Sequence, residues 1–330
     1  MPSDNTQSFP ESESGSGEYD KLTWRSTSAG VSTAWNDAYR TIAGSNIILA
    51  RIESVMMDAT LKNQYIGEAK FLRALMYFNL VVYVQEKKYA EAAAKLAEVI
   101  NSGTYRILPN LADVFGLGKD NNDEIMFAVQ YVSSGFGEGN SFAFVFAPVC
   151  GGHGGGTNIG TQDLYDAFEA GGLRRDAFLS VYKFGSNALI YYWSKKFVYK
   201  ITQLNEGEND WTVLRYADVV LLYAETLNQT GKTTEALAQI NVIRKRAGLA
   251  NLSGLSSADT QLALEKERRL ELCIEGHRWH DLIRWGKDVA TMHLAKYSTL
   301  DVTLKNRSVA PERKLFPIPY REISLNAAFT

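Results

Sequence analysis

The chain has 330 residues, 45% of them hydrophobic, and a formal net charge of -2 from 35 basic and 37 acidic side chains. That is enough apolar content for one large domain or two ordinary ones, and the interspersed charge offers no basic face for a phosphate backbone, which argues against nucleic acid as a partner. No run approaches the roughly 18 apolar residues of a spanning helix, Met1 leads into polar sequence without an apolar signal region, and Cys150 and Cys273 supply no disulfide framework or metal knuckle.

Residues 2–18 read PSDNTQSFPESESGSGE, too poor in apolar side chains to offset the entropy of ordering, and predict a flexible tether over 1–18. From Thr33, Trp35, Ala38 and Ile42, and then Ile47, Ile48, Ile52 and Val55, recur at helical spacing. Residues 65–83 form a further amphipathic stretch through Ala69, Leu72, Ala74, Tyr77 and Leu80. Residues 89–100 form another that stops at Ser102-Gly103, completing a helical block over 33–103. Between 104 and 210 the helical period breaks down. Glycines cluster near 116–118, 135–139 and 151–160, and strand-like runs occupy 124–132 and 191–199. A loop-rich insert set on a rigid scaffold is where binding residues tend to lie.

Helices return at Leu214, with Leu214, Ala217, Leu221, Ala224 and Leu227 on one face and Gly231 as the stop. A second helix over 235–247 turns Ala236, Ile240, Ile243 and Ala247 inward, so the pair predicts an antiparallel hairpin. Ser256 and Asp259 resemble a capping box for a third helix through Glu275, ended by Gly276. Residues 278–285 predict a fourth, closed by Gly286. The tail over 314–326 carries Pro317 and Pro319, which predicts an extended segment wrapping back over the scaffold. The block 211–330 is therefore expected to be a helical binding scaffold and not a catalytic domain.

Three stretches, LRYADVVLLYAETLNQTGKTTEALAQINVIRKRAGL (214–249), ERRLELCIEGHRWHDLIRWG (267–286) and LFPIPYREISLN (315–326), together resemble the SusD/RagB family of surface glycan-binding lipoproteins. Upstream, WNDAYRTIAGSNIILARI (35–52), EAKFLRALMYFNL (68–80) and YAEAAAKLAEVINSGTYRILPNLADVF (89–115) are similar to that family's scaffold helices. The resemblance implies a mainly α fold of tetratricopeptide-like helix pairs, an α-α superhelix with a loop-rich insert containing short strands, as a single domain over 19–330. It also implies an oligosaccharide ligand, a lipid anchor at the outer membrane on the cell surface, and a role as capture partner of a SusC-like TonB-dependent transporter, with no catalysis and no cofactor. The chain departs from the family's pattern twice. It shows no secretion signal or lipid-modified Cys, so membrane contact is expected only through an anchor absent from this chain. Residues 84–88 also join two helices that the family separates by a long segment.

The charged residues Glu265, Glu267, Arg268, Arg269, Glu271, Glu275 and Arg278 fall at helical spacing. They read as ion pairs on a solvated or interhelical face, each contributing a few tenths of a kcal/mol. By resemblance, Glu271, Glu275, Gly276, Arg278 and Asp281 are architectural. His277 and His280 lie three apart but lack a committed third ligand, so no metal is expected. The run Gly151-Gly152-His153-Gly154-Gly155-Gly156 fails as a phosphate loop, because Thr157-Asn158 follow it, and as an esterase element, because the chain has no G-x-S-x-G elbow. It reads as a mobile or tightly turning loop in which His153 is a ligand contact.

A sugar presents apolar C–H faces and rims of hydroxyls, so a glycan site needs aromatic platforms beside Asn, Asp or Arg. Three places supply that mixture: Tyr19, Trp24 and Arg25; Phe136, Asn140 and Phe142; and Tyr191, Tyr192 and Trp193. Plain core packing is the other reading of each aromatic, while Trp35, Trp279 and Trp285 sit on helical faces and read as core. Two rivals stand beside the glycan reading. A helical glycoside hydrolase would need paired carboxylates, for which Asp163, Asp166 and Glu169 are the grouped candidates on what reads as an ordinary amphipathic helix. A tetratricopeptide-type peptide adaptor would explain the hairpins but not the aromatic insert or the proline-bearing tail.

Overall fold

The computed structural model describes residues 5–7, 16–20, 22–81, 88–133, 137–148, 154–184, 189–197, 206–287 and 316–325, and it is mainly α-helical with short strands. The chain divides into two compact units. One comprises Met1–Ser12 with Lys87–Arg307, the other Glu13–Glu86 with Ser308–Thr330. The expected contacts Phe136 and His153, and residues 84–87 of the short connection, lie outside the described residues.

The smaller unit is built on α1 (Ser16–Asp20), α2 (Ala29–Arg51), α3 (Ala59–Val81) and α12 (Tyr320–Leu325), with a 3-10 turn at Ile52–Ser54 after α2. Helices α2 and α3 pack together as a pair. The buried stripe of α2 is Val31, Ala38, Ile42 and Ser45, continued by Ile52. Ile47 and Ile48 share in the sequence period but are 55% and 46% exposed. Ile47, two residues beyond Ser45, falls on the far side of the helix from the 38–42–45 stripe, and Ile48 lies at its margin. The tail is extended only over 316–319. Pro319 stands just before α12, where its carbonyl accepts from Glu322 and Ile323 N at 3.0 and 3.2 Å, so the expectation of an extended tail does not hold over 320–325.

The larger unit contains β1 (Thr6–Gln7), α4 (Tyr89–Ser102), β2 (Ile125–Val129), α5 (Phe142–Val145), β3 (Ile159–Gly160), α6 (Gln162–Ala167), α7 (Arg174–Phe178), β4 (Leu179–Phe184), β5 (Leu189–Ser194), β6 (Trp211–Arg215), α8 (Tyr216–Gln229), α9 (Thr233–Arg246), α10 (Ser257–Glu271) and α11 (Arg278–Arg284). Its helical core lies where α8 packs on α4, α9 and α10. Ala217, Val220, Leu221, Ala224, Ile240, Ile243 and Leu264 are buried there, with Leu96, Val99 and Ile100 of α4 against them. Burial of each Val, Leu or Ile side chain there stabilises the fold by about 1.5–3 kcal/mol. The hairpin turn ends at Gly231, whose φ of 82° is open to glycine without steric cost.

Three boundaries differ from the sequence reading. Leu214 belongs to β6, which pairs antiparallel with β2, so α8 starts at Tyr216. Helix α10 begins as expected, with the Ser256 hydroxyl accepting from the Asp259 amide at 3.1 Å, but stops at Glu271 and leaves residues 272–276 as turns. Ile274 there adopts φ 66°, an uncommon conformation for a β-branched residue. Part of the expected N-terminal tether is also ordered. Thr6–Gln7 pairs with Ile159–Gly160, the Asn5 carbonyl accepts from Thr161 N at 2.9 Å, and Ser16 opens α1. These are backbone bonds, which do not require the apolar side chains that the tract lacks.

Four strands form one antiparallel sheet in the order β1-β3-β5-β4, and β2 with β6 forms a second. The glycines before β3 close a tight loop. Gly155, Gly156 and Thr157 donate to Phe144, Ala147 and Val145 carbonyls at 2.8, 2.9 and 2.9 Å. At Gly154 a Cβ would stand 2.2 Å from the Pro148 carbonyl oxygen, so no other residue fits.

Candidate ligand-binding surface

The charged residues of the ERRLELCIEG stretch are drawn into the interior of the larger unit, and not onto a solvated face. Among the described residues four carboxylates, Glu124, Glu267, Glu271 and Glu275, meet five cations, Arg174, Lys196, Arg215, Arg244 and Arg246, all nearly or fully buried. Arg215, where β6 ends, donates to Glu275 at 2.7 and 2.9 Å, to Glu124 at 2.9 Å and to Glu271 at 2.8 Å. Lys196 donates to the Glu271 and Cys273 carbonyls at 2.8 and 3.1 Å. Its ammonium stands 3.8 Å from the centre of the Phe178 ring. A second cluster joins Arg268 to Asp218 and Asp281, and Arg284 to Asp281 and Glu225. The few-tenths value that suits exposed pairs does not apply here. Charges out of water are costly alone and depend on every partner. Burial disfavours the charge on Glu271, yet Arg246, Arg215 and Arg174 together hold its carboxyl well below the usual range. The motif supports the fold.

Much of the aromatic content is internal as well. Phe115, Phe142, Phe146, Phe178, Phe197 and Trp211 form a continuous cluster, with Tyr131 edge-on to Phe142 at 5.9 Å. Phe142 is thus half-buried against Trp211, at 4.7 Å between ring centres. Asn140 is buried: its backbone exchanges bonds of 2.9 and 2.7 Å with Gly207, its amide oxygen accepts from Phe142 N, and its amide nitrogen donates to the Asn209 carbonyl. In the smaller unit Trp24, 2% exposed, stacks with Tyr19 and packs 4.9 Å from Phe316, while Arg25 is exposed.

The run Tyr191-Tyr192-Trp193 is divided by the pleat of β5. Tyr192, 5% exposed, packs against α6, 4.5 Å from the Tyr165 ring, and its hydroxyl bonds Gln162. Trp193 stands on the opposite face and is half-buried. The register pairs Ser180 with Trp193 and Tyr182 with Tyr191, so Tyr182, 37% exposed, joins Trp193 on that face. Sequence reading passed over Tyr182. The alternation Ser180, Tyr182, Phe184 would have suggested it once 179–184 was recognised as a strand.

A small polar cleft lies between the 114–121 loop and β2/β6, lined by Phe115, Lys119, Asp120, Asn121, Asp210 and Thr212 among others. Burial, with the Asp120 charge, raises the Asp210 carboxyl even though it accepts from Tyr131 N at 2.9 Å. The grouped carboxylates of the hydrolase alternative are each held by a neighbouring side chain. Asp163 pairs with Arg269, and Asp166 accepts from Gln162. Glu169 bonds Arg244 at 2.8 Å, which with Lys266 lowers its carboxyl to about 2. A general acid needs the opposite shift. Among the described residues no group of three His, Cys, Asp or Glu side chains is placed to hold a metal ion, and no helix is long and apolar enough to cross a membrane.

The geometry is that of a helix-pair scaffold carrying a strand-bearing, loop-rich insert. Comparison with known proteins places it. The SusD family model matches residues 181–330, and a family described as starch-binding associating with outer membrane matches residues 3–105. The chain belongs to the SusD/RagB family. SusD-like protein P25 of Formosa agariphila is 24% identical over 413 residues, covering 90% of this chain and 77% of that relative. That alignment is longer than the 330-residue chain, so the relative carries residues that this chain lacks. A SusD superfamily structure from Parabacteroides distasonis has 22% identity and a TM-score of 0.78, covering 98% of this chain and 90% of its own. Surface glycan-binding protein A from Bacteroides thetaiotaomicron, solved in complex with laminarihexaose, has 18% identity and a TM-score of 0.70, covering 99% of this chain and 91% of its own.

Proposed function

We propose that this protein binds an oligosaccharide at the bacterial surface and passes it, without chemical change, to a SusC-like TonB-dependent transporter of the outer membrane. The observation that carries the reading is family membership across both helical blocks, together with a similarly folded glycan-binding protein in complex with laminarihexaose. The scaffold's ionisable groups are committed to buried pairs, which suits a rigid carrier of a binding surface. Tyr19, Arg25, Phe142, Tyr191 and Trp193 remain candidate glycan contacts, and Phe136 and His153 stand with them on sequence grounds alone.

The test is retardation in affinity gels containing a panel of polysaccharides, laminarin first, with reducing ends assayed in parallel. Retardation without release of reducing sugar is expected. Released sugar would replace the reading with the hydrolase, and an absence of glycan binding with hits from a peptide library would favour the adaptor. Co-purification with the product of a neighbouring outer-membrane barrel gene tests the transporter step.

A further inference from the structure

We infer that the cleft between the 114–121 loop and β2/β6 binds one hard divalent cation, with calcium the best match, through oxygen atoms of Asp120, Asn121, Asn209, Asp210 and Thr212. The inference does not depend on the glycan reading. The loop that forms one wall is fixed by its own bonds. The Asn122 amide donates to the Val114 and Lys119 carbonyls at 3.0 and 2.7 Å. Asn121 adopts φ 55°, in the left-handed region that asparagine tolerates better than most residues. The other wall is the entry to β6, where Asp210 accepts from Tyr131 N at 2.9 Å and Thr212 pairs with Ala128 of β2.

The charges that line the cleft are Lys119, Lys196, Asp120 and Asp210. Both lysines are committed elsewhere: Lys196 to Glu275 and the Glu271 and Cys273 carbonyls, Lys119 to Asp113 at 3.5 Å and the Ala112 carbonyl. Asp120 has no ion-pair or hydrogen-bond partner among the described residues, and Asp210 pairs with no cation there. Two carboxylates thus share the cleft without a counter-charge. Burial raises the Asp210 carboxyl and the Asp120 charge adds to it, against the Tyr131 amide. A bound cation relieves both effects. Two buried side chains supply further oxygens. Asn209, 4% exposed, spends its amide nitrogen on the Phe197 carbonyl at 3.1 Å, which leaves its amide oxygen without a donor among the described residues. The Thr212 hydroxyl, on a residue 6% exposed, likewise has no partner among them. Both residues line the cleft.

Size and donor type select the ligand. The cavity volume is about 20 Å³, where a single water needs about 10–15 Å³. A sugar ring does not fit, whereas an ion does. No His or Cys lines the cleft, so metals that favour nitrogen or sulfur ligands lack them. Calcium accepts about six to eight oxygens in an irregular shell completed by water, while magnesium demands a near-ideal octahedron. A mixture of carboxylate, amide and hydroxyl oxygens drawn from a loop and a strand suits the former.

Calorimetric titration of the whole chain with calcium chloride, after EDTA treatment and dialysis, tests this, with magnesium chloride as the control. Calcium binding at a single site is expected, with magnesium at least tenfold weaker. Asp120→Asn and Asp210→Asn should each weaken calcium binding tenfold or more, and calcium should raise the unfolding temperature of the wild type but not of Asp210→Asn. Asp120 is exposed, so Asp120→Asn should fold as the wild type does and carries the test alone if Asp210→Asn does not fold. An absence of calcium binding by the wild type overturns the site, as does undiminished binding in Asp120→Asn. Magnesium binding as tight as calcium overturns the choice of calcium.

Discussion

Arg215 closes its guanidinium on both carboxylate oxygens of Glu275, 60 residues further on, with Nε to Oε2 at 2.7 Å and Nη2 to Oε1 at 2.9 Å. The pair ties the start of α8 to the turn after α10. The same guanidinium also reaches Glu124 and Glu271, so it joins four segments. Glu275→Gln keeps the shape but removes one charge, leaving Lys196 and Arg215 buried and underpaired. Loss of one partner from a buried pair costs about 3–5 kcal/mol. Urea unfolding should show a loss of that size, and a change below about 1 kcal/mol would mean that the network is exposed to water in solution.

Acid should lower the stability of the protein over two successive pH ranges. Burial lowers the His280 imidazole to about 4, aided by the charge of His277 against the opposing pull of Asp281. The unfolded histidine titrates near 6.5. The unfolded state therefore binds more protons between these values, and stability falls as pH drops from about 6.5 to about 4. The carboxyls of Glu271, Glu275 and Asp281 are held below their ordinary range by their arginine partners against burial, and Glu169 is lowered to about 2. Their stabilisation is present above about pH 4.5 and is lost as pH falls through the folded values. Unfolding temperatures from pH 8 to 2 should trace both slopes. His280→Leu should flatten the upper one and leave the lower.

Adjacent residues in the smaller unit should behave differently. Trp24→Ala removes a buried indole packed on Tyr19 and Phe316, for an expected loss of about 3–5 kcal/mol. Arg25 is exposed, so Arg25→Ala should change stability by less than about 0.5 kcal/mol. Any effect of Arg25→Ala on glycan affinity then reports contact and not folding. Thermal unfolding beside affinity electrophoresis separates the two.

Ser256→Ala removes the hydroxyl that accepts from the Asp259 amide at the start of α10. A cost of about 1 kcal/mol is expected, seen as a lower urea midpoint at unchanged slope. Ser256→Thr, which keeps a hydroxyl able both to accept from the Asp259 amide and to donate to its carboxylate, should restore most of it.

The helices could be read from sequence wherever one face repeats every three or four residues. Ala217, Leu221, Ala224 and Leu227 marked α8, and Ala236, Ile240 and Ile243 marked α9, because the period of an isolated helix already dictates which side chains share its buried face. The stops at Gly103, Gly231 and Gly286 were also legible, since each needs a positive φ that glycine adopts freely. The burial of the Glu267, Glu271 and Glu275 row was not. A carboxylate four residues from an arginine has the same pattern on a wet face as in a core. The partners that decide between the two, Glu124, Arg174, Lys196 and Arg215, come from distant segments.

The aromatic candidates divide along the same line. Composition and local context marked Trp24, Tyr192 and Trp193 alike, because an aromatic ring serves equally as core or platform. Sequence by itself determined that this chain is a helix-pair scaffold with an irregular, aromatic-rich insert, since those features depend on neighbours a few residues away. Only tertiary structure decided that Tyr192 is a packing residue while Trp193 stands on the opposite face of the hairpin. Strand register and sheet order are set by hydrogen bonds between segments far apart in the chain, and a shift of one residue would exchange the two faces.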